Sequence, residues 1–216
     1  WQRLASYPEA VDPARLAAAA QDPDPLVRQA ALELARSLEL PAGTIPAEVQ
    51  TAAQQAWVRE QVFNADRPEA QVNLGQWHAT RGDHAAAQAA FDEAIRLDPT
   101  FLPARVNLAD LQRSRGDEAA AERTLRAALP HAGTSGVVAH ALGLSLVRQR
   151  RQPEALQWLR AATGREPGNE RFAYVYAVAL HDTGQPEAAV RFLEQAIRRQ
   201  TEAGRLEELL EAYRGR

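Results

Sequence analysis

From about Pro68 to Thr201 the apolar and small residues return every 34 positions, with no insertion or deletion. Rows starting at Pro68, Leu102, Gly136 and Glu170 align in columns. One column is Leu74, Leu108, Leu142 and Tyr176; the next is small throughout, Gly75, Ala109, Gly143 and Ala177. Further along come Ala87, Ala121, Ala155 and Ala189, then Phe91, Leu125, Leu159 and Leu193, then Ala94, Ala128, Ala162 and Ala196. Each row predicts two helices joined by a turn. A large side chain facing a small one lets such helices approach closely. The column Gly82, Gly116, Arg150 and Gly184 marks the end of each first helix, where glycine tolerates a left-handed C-cap. Arg150 departs from it, so the third row is expected to carry strain there or to turn differently; Arg151-Gln152-Pro153 supports a turn in either case. Asp83 and Asp117 are placed to cap the second helices of their rows. Pro99 and Pro167 close the first and third rows; the second has Pro130 and Gly133, and the fourth Thr201 with Gly204 nearby.

Outside the rows the pattern changes. Pro13 to Ala20 predicts a short Ala-rich helix, and Asp22-Pro23-Asp24-Pro25 a turn made of caps and breakers. Leu26 to Leu38 follows as a helix with an apolar stripe of Leu26, Val27, Ala30, Ala31, Leu34 and Leu38. Leu40 to Pro46 is a connector, and Pro46 to about Phe63 a further helix with proline in its first turn. Ala53 and Trp57 fall in register with Ala87 and Phe91, so this helix reads as the second half of a degenerate unit. Gly204 to Tyr213 sets Leu206, Leu209, Leu210 and Tyr213 against Glu207, Glu208 and Glu211, a helix suited to sealing the end of a stack. The expected divisions are 1–45, 46–67, 68–201 and 202–216.

Leu74-Gly75, Gly82-Asp83, Ala87, Phe91, Ala94 and Pro99 together resemble the tetratricopeptide repeat signature, and the pattern recurs in the next three rows. That resemblance implies an all-α fold, a right-handed α-solenoid of stacked helix-turn-helix units whose first helices line a concave face. The first-helix aromatics depart most: His78, Gln112, Leu146 and Leu180 stand where the family usually has Tyr, and Gln71, Arg105, Ala139 and Ala173 at its early Trp position. The resemblance also implies that first-helix residues outside the packing columns contact a partner protein or peptide. These include Asn73, Gln76, Asn107, Asp110, Arg113, His140, Arg148, Tyr174 and His181, with Thr80, Leu144, Arg171 and Val178 beside them. Asn73 and Asn107 share a column, and an amide there is able to donate to and accept from a peptide backbone. Val72, Val137 and Ala141 occupy places where a chaperone-type carboxylate clamp needs cations, so that clamp is expected to be absent.

The first segment, a helix, the DPDP turn and then LVRQAALELA, resembles a HEAT repeat. A lone unit of that kind needs a neighbour to stack on, so either more repeats precede Trp1 or this unit caps the solenoid. The stretches DPDPLVRQAALELA, NADRPEAQVNLG, ARVNLADL, HALGLSLVRQ and RFAYVYAVAL also resemble the C-terminal HEAT-plus-TPR region of certain bacterial multihaem c-type cytochromes. This implies a docking or assembly arm of an electron-transfer system, periplasmic or extracellular; otherwise the chain is expected in the cytoplasm.

Composition narrows the chemistry. With no Cys, the chain has no thiolate metal site, Cys nucleophile or CxxCH haem attachment, and no cofactor is expected in it. It has no Met, so Trp1 does not read as a translation start. All 25 basic residues are Arg, a usage that codon bias in a GC-rich genome, or a selective reason such as denser bidentate pairing, would explain. A net charge of −3, mixed along the chain, gives no nucleic-acid footprint. No apolar run reaches the roughly 20 residues of a membrane span. His78, His84, His131, His140 and His181 form no i,i+4 pair, although His140 and His181 fall on neighbouring first helices, which leaves a shared role open. There is no GxSxG, P-loop or GxGxxG. The expected function is a non-catalytic protein-interaction scaffold.

Overall fold

The computed structural model describes residues 12–37, 47–199 and 203–215. The Leu40 to Pro46 connector, Trp1 and Thr201 lie outside them. The described residues contain helices and turns and no strand. They form two compact units that divide between Asp66 and Arg67.

The first unit holds α1 (Pro13–Ala19), α2 (Pro25–Ser37) and α3 (Ala47–Phe63), with α2 packed on both neighbours. Asp12 caps α1 by accepting from the Ala14 N–H at 2.9 Å. In the DPDP turn, Asp22 Oδ1 accepts from the Asp24 N–H and Asp24 Oδ1 from the Leu26 N–H, both at 2.8 Å. These aspartates satisfy backbone donors that a helix start leaves unpaired. Arg28 closes the turn by donating to the Asp22 and Pro23 carbonyls. Leu16, Ala20, Ala31 and Leu34 are buried. Leu26, expected on the apolar stripe, is 69% exposed: it sits in the first turn of α2, and its N–H answers the cap while its side chain points to solvent.

The second unit is a stack of helix pairs, an α-solenoid. Its elements are α4 (Pro68–Thr80), α5 (His84–Leu97), α6 (Leu102–Ser114), α7 (Glu118–Ala128), α8 (Val137–Arg148), α9 (Gln152–Arg165), α10 (Glu170–Asp182), α11 (Pro186–Ile197) and α12 (Gly204–Arg214). A 3₁₀ turn at Leu129–His131 follows α7. Each helix packs on the next, and first helices also touch directly: α4 on α6, α6 on α8, and α10 on α12.

The small column is required by what faces it. A Cβ built on Gly75 would lie 2.4 Å from Phe91 Cε1, and one on Gly143 would lie 2.7 Å from Leu159 Cγ. In the second and fourth pairs Ala109 and Ala177 suffice, opposite Leu125 and Leu193. The turns after α4, α6, α8 and α10 are the same device. In each, two N–H groups reach back to the helix end, as Gly82 N–H to the Ala79 carbonyl and Asp83 N–H to the His78 carbonyl. This paired closure needs a left-handed residue just past the helix. Gly82, Gly116 and Gly184 supply it at φ 77°, 82° and 78°, and Arg150 supplies it at φ 59°. The third turn therefore keeps its shape and carries the strain instead of escaping it, with Arg151 N–H bonded to the Leu146 carbonyl at 2.9 Å. Asp83 and Asp117 then cap α5 and α7, accepting from Ala86 N–H at 3.1 Å and Ala120 N–H at 2.8 Å. At the end of the stack α12 buries Leu206 and Leu210 against α10 and α11 and leaves Glu207, Glu208 and Glu211 in solvent.

Candidate functional site

The first helices project their non-packing residues to one side, and two depressions open there. One, of about 370 Å³, lies among α6, α7, α8 and the start of α10, and is lined by Val106, Leu125, Val137, Leu144 and Phe172 with Asp110, His140, Arg148 and Arg171 among others. The other, of about 640 Å³, lies between α10 and α12, with Tyr174, Arg205, Glu208 and Leu209 on its walls. Arg171, in the first turn of α10, lines both.

The structure brings Asp110, His140 and Arg148 together in the smaller depression and places Tyr174, 38% exposed, in the larger. Arg148 donates to Glu118 Oε1 at 3.0 Å, and Asp110 pairs with Arg113 at 3.3 Å. The remaining expected contacts are engaged elsewhere. Gln76 Nε2 donates to Asn107 Oδ1 at 2.9 Å, while Asn107 Nδ2 donates to the Pro103 carbonyl one turn back. The Asn107 amide, expected to grip a peptide, is thereby used within the layer. Asn73 is half-buried on α4 and also has a partner. His181 stacks on Tyr213 of α12 with ring centroids 4.1 Å apart, so it does not share a site with His140.

His140, expected as an open contact, is only 5% exposed. Its ring stacks on Phe172 at 4.4 Å, and both ring nitrogens are buried without a hydrogen-bond partner. Burial, and then the Arg171 guanidinium, disfavour the imidazolium and outweigh the favourable field of Glu166, so its pKa falls to about 4. At neutral pH this wall of the depression is uncharged. The cause is two columns over: Ala70, Ala104 and Val138 are replaced in the fourth row by Phe172, whose ring reaches back over α8. That lone aromatic in a small column was the available sequence signal.

Behind the depression, charged groups bind neighbouring pairs together. Glu122 on α7 accepts from Arg126, from Gln149 at 3.0 Å and from Arg151 at 2.7 Å, and Arg151 in turn pairs with Glu154. Glu166 accepts from the Gly136 N–H at 2.6 Å, from Asn169 at 3.1 Å and from Ser135 at 3.3 Å, fixing the entry to α8. Burial raises its pKa, and these donors more than offset that, so it stays below the ordinary carboxylate value. Among the described residues no cluster of three or more His, Asp or Glu is placed to hold a metal ion, and no helix is long and apolar enough to cross a membrane.

One family model described as tetratricopeptide repeat matches residues 78–143 and 146–213, and a second with the same description matches residues 48–100. No curated protein matches the chain. Among solved structures, the chain of MamA from Desulfovibrio magneticus RS-1 described as 41-end is 17% identical with a TM-score of 0.52, covering 87% of this chain and 95% of that chain. PilF from Pseudomonas aeruginosa is 24% identical with a TM-score of 0.52, covering 61% of this chain and 60% of PilF. YrrB, described as a TPR protein with an unusual peptide-binding site, is 18% identical with a TM-score of 0.51, covering 65% of this chain and 73% of YrrB. At these identities the likeness is one of fold. Neither family model nor any of these three structures is described as a HEAT repeat or a cytochrome, so the likeness supports the tetratricopeptide repeat alone.

Proposed function

Since the chain belongs to the tetratricopeptide repeat family, we propose that it is a non-catalytic scaffold that holds a segment of a partner protein along the first helices of its stack. The observation that carries this reading is the pair of depressions that both reach Arg171, where exposed side chains such as Asp110, Arg148 and Tyr174 stand beside core residues. Mixed apolar and polar walls suit an extended or helical segment docked in a groove. Among the described residues no arrangement of nucleophile, base and oxyanion donors accompanies them, and the buried histidine is held neutral by burial and then by Arg171, against the opposing field of Glu166. A docking arm of a multihaem cytochrome is the narrower version of this reading. It rests on the sequence stretches alone, and its test is whether CxxCH motifs are encoded before Trp1.

The groove assignment is tested by placing a photo-crosslinking amino acid at Tyr174 on α10 or at exposed Arg123 on α7 and irradiating in an extract of the source cells. The expected result is a discrete adduct from Tyr174 that Arg123 does not give. Equal labelling from both positions, or from Arg123 alone, would refute the assignment.

A further inference from the structure

The smaller depression contains three charged side chains, and two of them are neutralised in place. Asp110 has Arg113, and Arg148 has Glu118. Arg171 has no carboxylate within ion-pair distance among the described residues, although acidic groups stand close in sequence and space. Glu170 accepts instead from the Arg205 backbone N–H at 3.1 Å, and Glu166 is held by Gly136, Ser135 and Asn169. Glu166 and Glu170 are thus tied to backbone and loop groups, Glu208 lines the larger depression beyond ion-pair distance, and no ion pair holds the guanidinium at the junction of the two depressions. Beside it the floor is apolar: Phe172 lies under the junction, with Val137, 40% exposed, and Leu144 along α8. The imidazole of His140 adds buried nitrogens with no partner to the same wall. A surface cation with no carboxylate in ion-pair contact, next to an open apolar recess, is complementary to a ligand bearing a carboxylate and an apolar group together.

We propose that the groove selects a partner segment in which a bulky apolar side chain fills the recess over Phe172 and an adjacent Asp or Glu side chain pairs with Arg171. This rests on the groove reading above and specifies its ligand. The apolar group anchors the segment by burial, and the carboxylate sets its register through a bidentate pair that a guanidinium offers and an ammonium does not. The recess of about 370 Å³ has room for a large side chain and part of the backbone that carries it. Arg171 is the residue that decides specificity, because Arg148 and Asp110 are already matched.

A phage-displayed library of random linear peptides, panned on the intact 216-residue chain, tests this. Enriched peptides are expected to carry Asp or Glu beside Leu, Ile, Phe or Trp. In fluorescence polarisation with an enriched peptide, Arg171→Gln and Arg171→Glu are each expected to weaken binding at least tenfold. Replacing the peptide's own acidic residue by its amide should do the same, with no further loss when combined with Arg171→Gln. Val137→Trp, at an exposed site on the rim, is expected to block the recess without disturbing the helices, and far-UV circular dichroism checks that each variant is folded. Binders without an acidic residue, or binders indifferent to Arg171→Gln, overturn this inference while leaving the groove reading standing. A library that yields no binder overturns both. Dimerisation of the chain alone that Arg171→Glu dissolves would assign the recess to a second copy and would also overturn the inference.

Discussion

Replacing Arg150 by glycine should make the protein more stable. Arg150 occupies the left-handed position that closes α8, at φ 59°, whereas the equivalent turns use Gly82, Gly116 and Gly184. A side chain bearing a Cβ in that conformation costs about 1–2 kcal/mol. Glycine releases this, and gives back about 0.4–1 kcal/mol because its unfolded chain is freer. Taking the middle of each range, the net gain is about 0.8 kcal/mol. Little opposes it, since the Arg150 side chain is exposed and has no hydrogen bond or ion pair among the described residues, and the backbone bonds of the turn do not depend on its identity. For a chain of this size about 1 kcal/mol moves the midpoint by roughly 2–4 °C. Arg150→Gly should thus raise the thermal midpoint, followed by circular dichroism, by roughly 1–4 °C. Two companions separate strain from charge. Arg150→Ala removes the cation but keeps the Cβ and should leave the midpoint nearly unchanged, while Gly116→Arg should lower it. A midpoint that does not rise with glycine, or rises equally with alanine, would refute the strain argument.

Other outcomes follow from the packing and the buried charges. Gly75→Ala should destabilise the first pair by about 1–3 kcal/mol through overpacking against Phe91. Adding Phe91→Leu should recover much of that loss, because it recreates the Ala-Leu pairing of Ala109 with Leu125; a urea series on the single and double variants decides it. Glu166→Ala should cost about 1–3 kcal/mol at pH 7 by leaving the Gly136 N–H without its acceptor. Because the folded pKa of Glu166 lies below its unfolded value of 4.5, its contribution is present above that pH and is lost as pH falls through the folded pKa. Glu166→Gln should flatten that acid limb. His140 acts through the opposite charge at higher pH: the folded group titrates near 4 and the unfolded one near 6.5, so stability is full above 6.5 and declines between 6.5 and about 4. His140→Phe, which keeps the stack on Phe172 and removes two unpartnered nitrogens, should raise stability by about 1 kcal/mol at pH 7 and abolish that decline, read as denaturation midpoints across pH.

The fold was legible because packing writes itself periodically. Leu74 with Gly75, Ala87 and Phe91 recur because every pair must present the same surface to the next, and the turn glycines recur because one left-handed residue closes each first helix. Even the exception at Arg150 was visible as a break in a column. The groove is less legible because it is made of residues the repeat leaves free. His140 occupies a column with Val72, Val106 and Tyr174 that is buried in one row and exposed in another. What decides its fate is Phe172, a substitution in a different column and a different row. Asn107 had the right chemistry for a peptide contact, yet Gln76, from the previous row, takes its oxygen. That Arg171 has no ion pair depends on where Glu166, Glu170 and Glu208 are held, which is a matter of geometry at the entries to α8 and α12. Leu26 is exposed for a related reason: a periodic stripe states which face is apolar, not how far along the helix a neighbour extends.

The even spacing of the four left-handed turns also governs how such a chain can change length. Gly82, Gly116, Arg150 and Gly184 stand 34 residues apart, so each pair meets the next in the same rotation. One residue inserted within a helix would carry the later residues of that helix about 100° around its axis, turning part of its buried face toward water. Loss or duplication of a whole 34-residue block would return each contact to an equivalent place. The chain is built to tolerate gain and loss by the block and to resist it by the residue, so its length is adjustable only in whole steps.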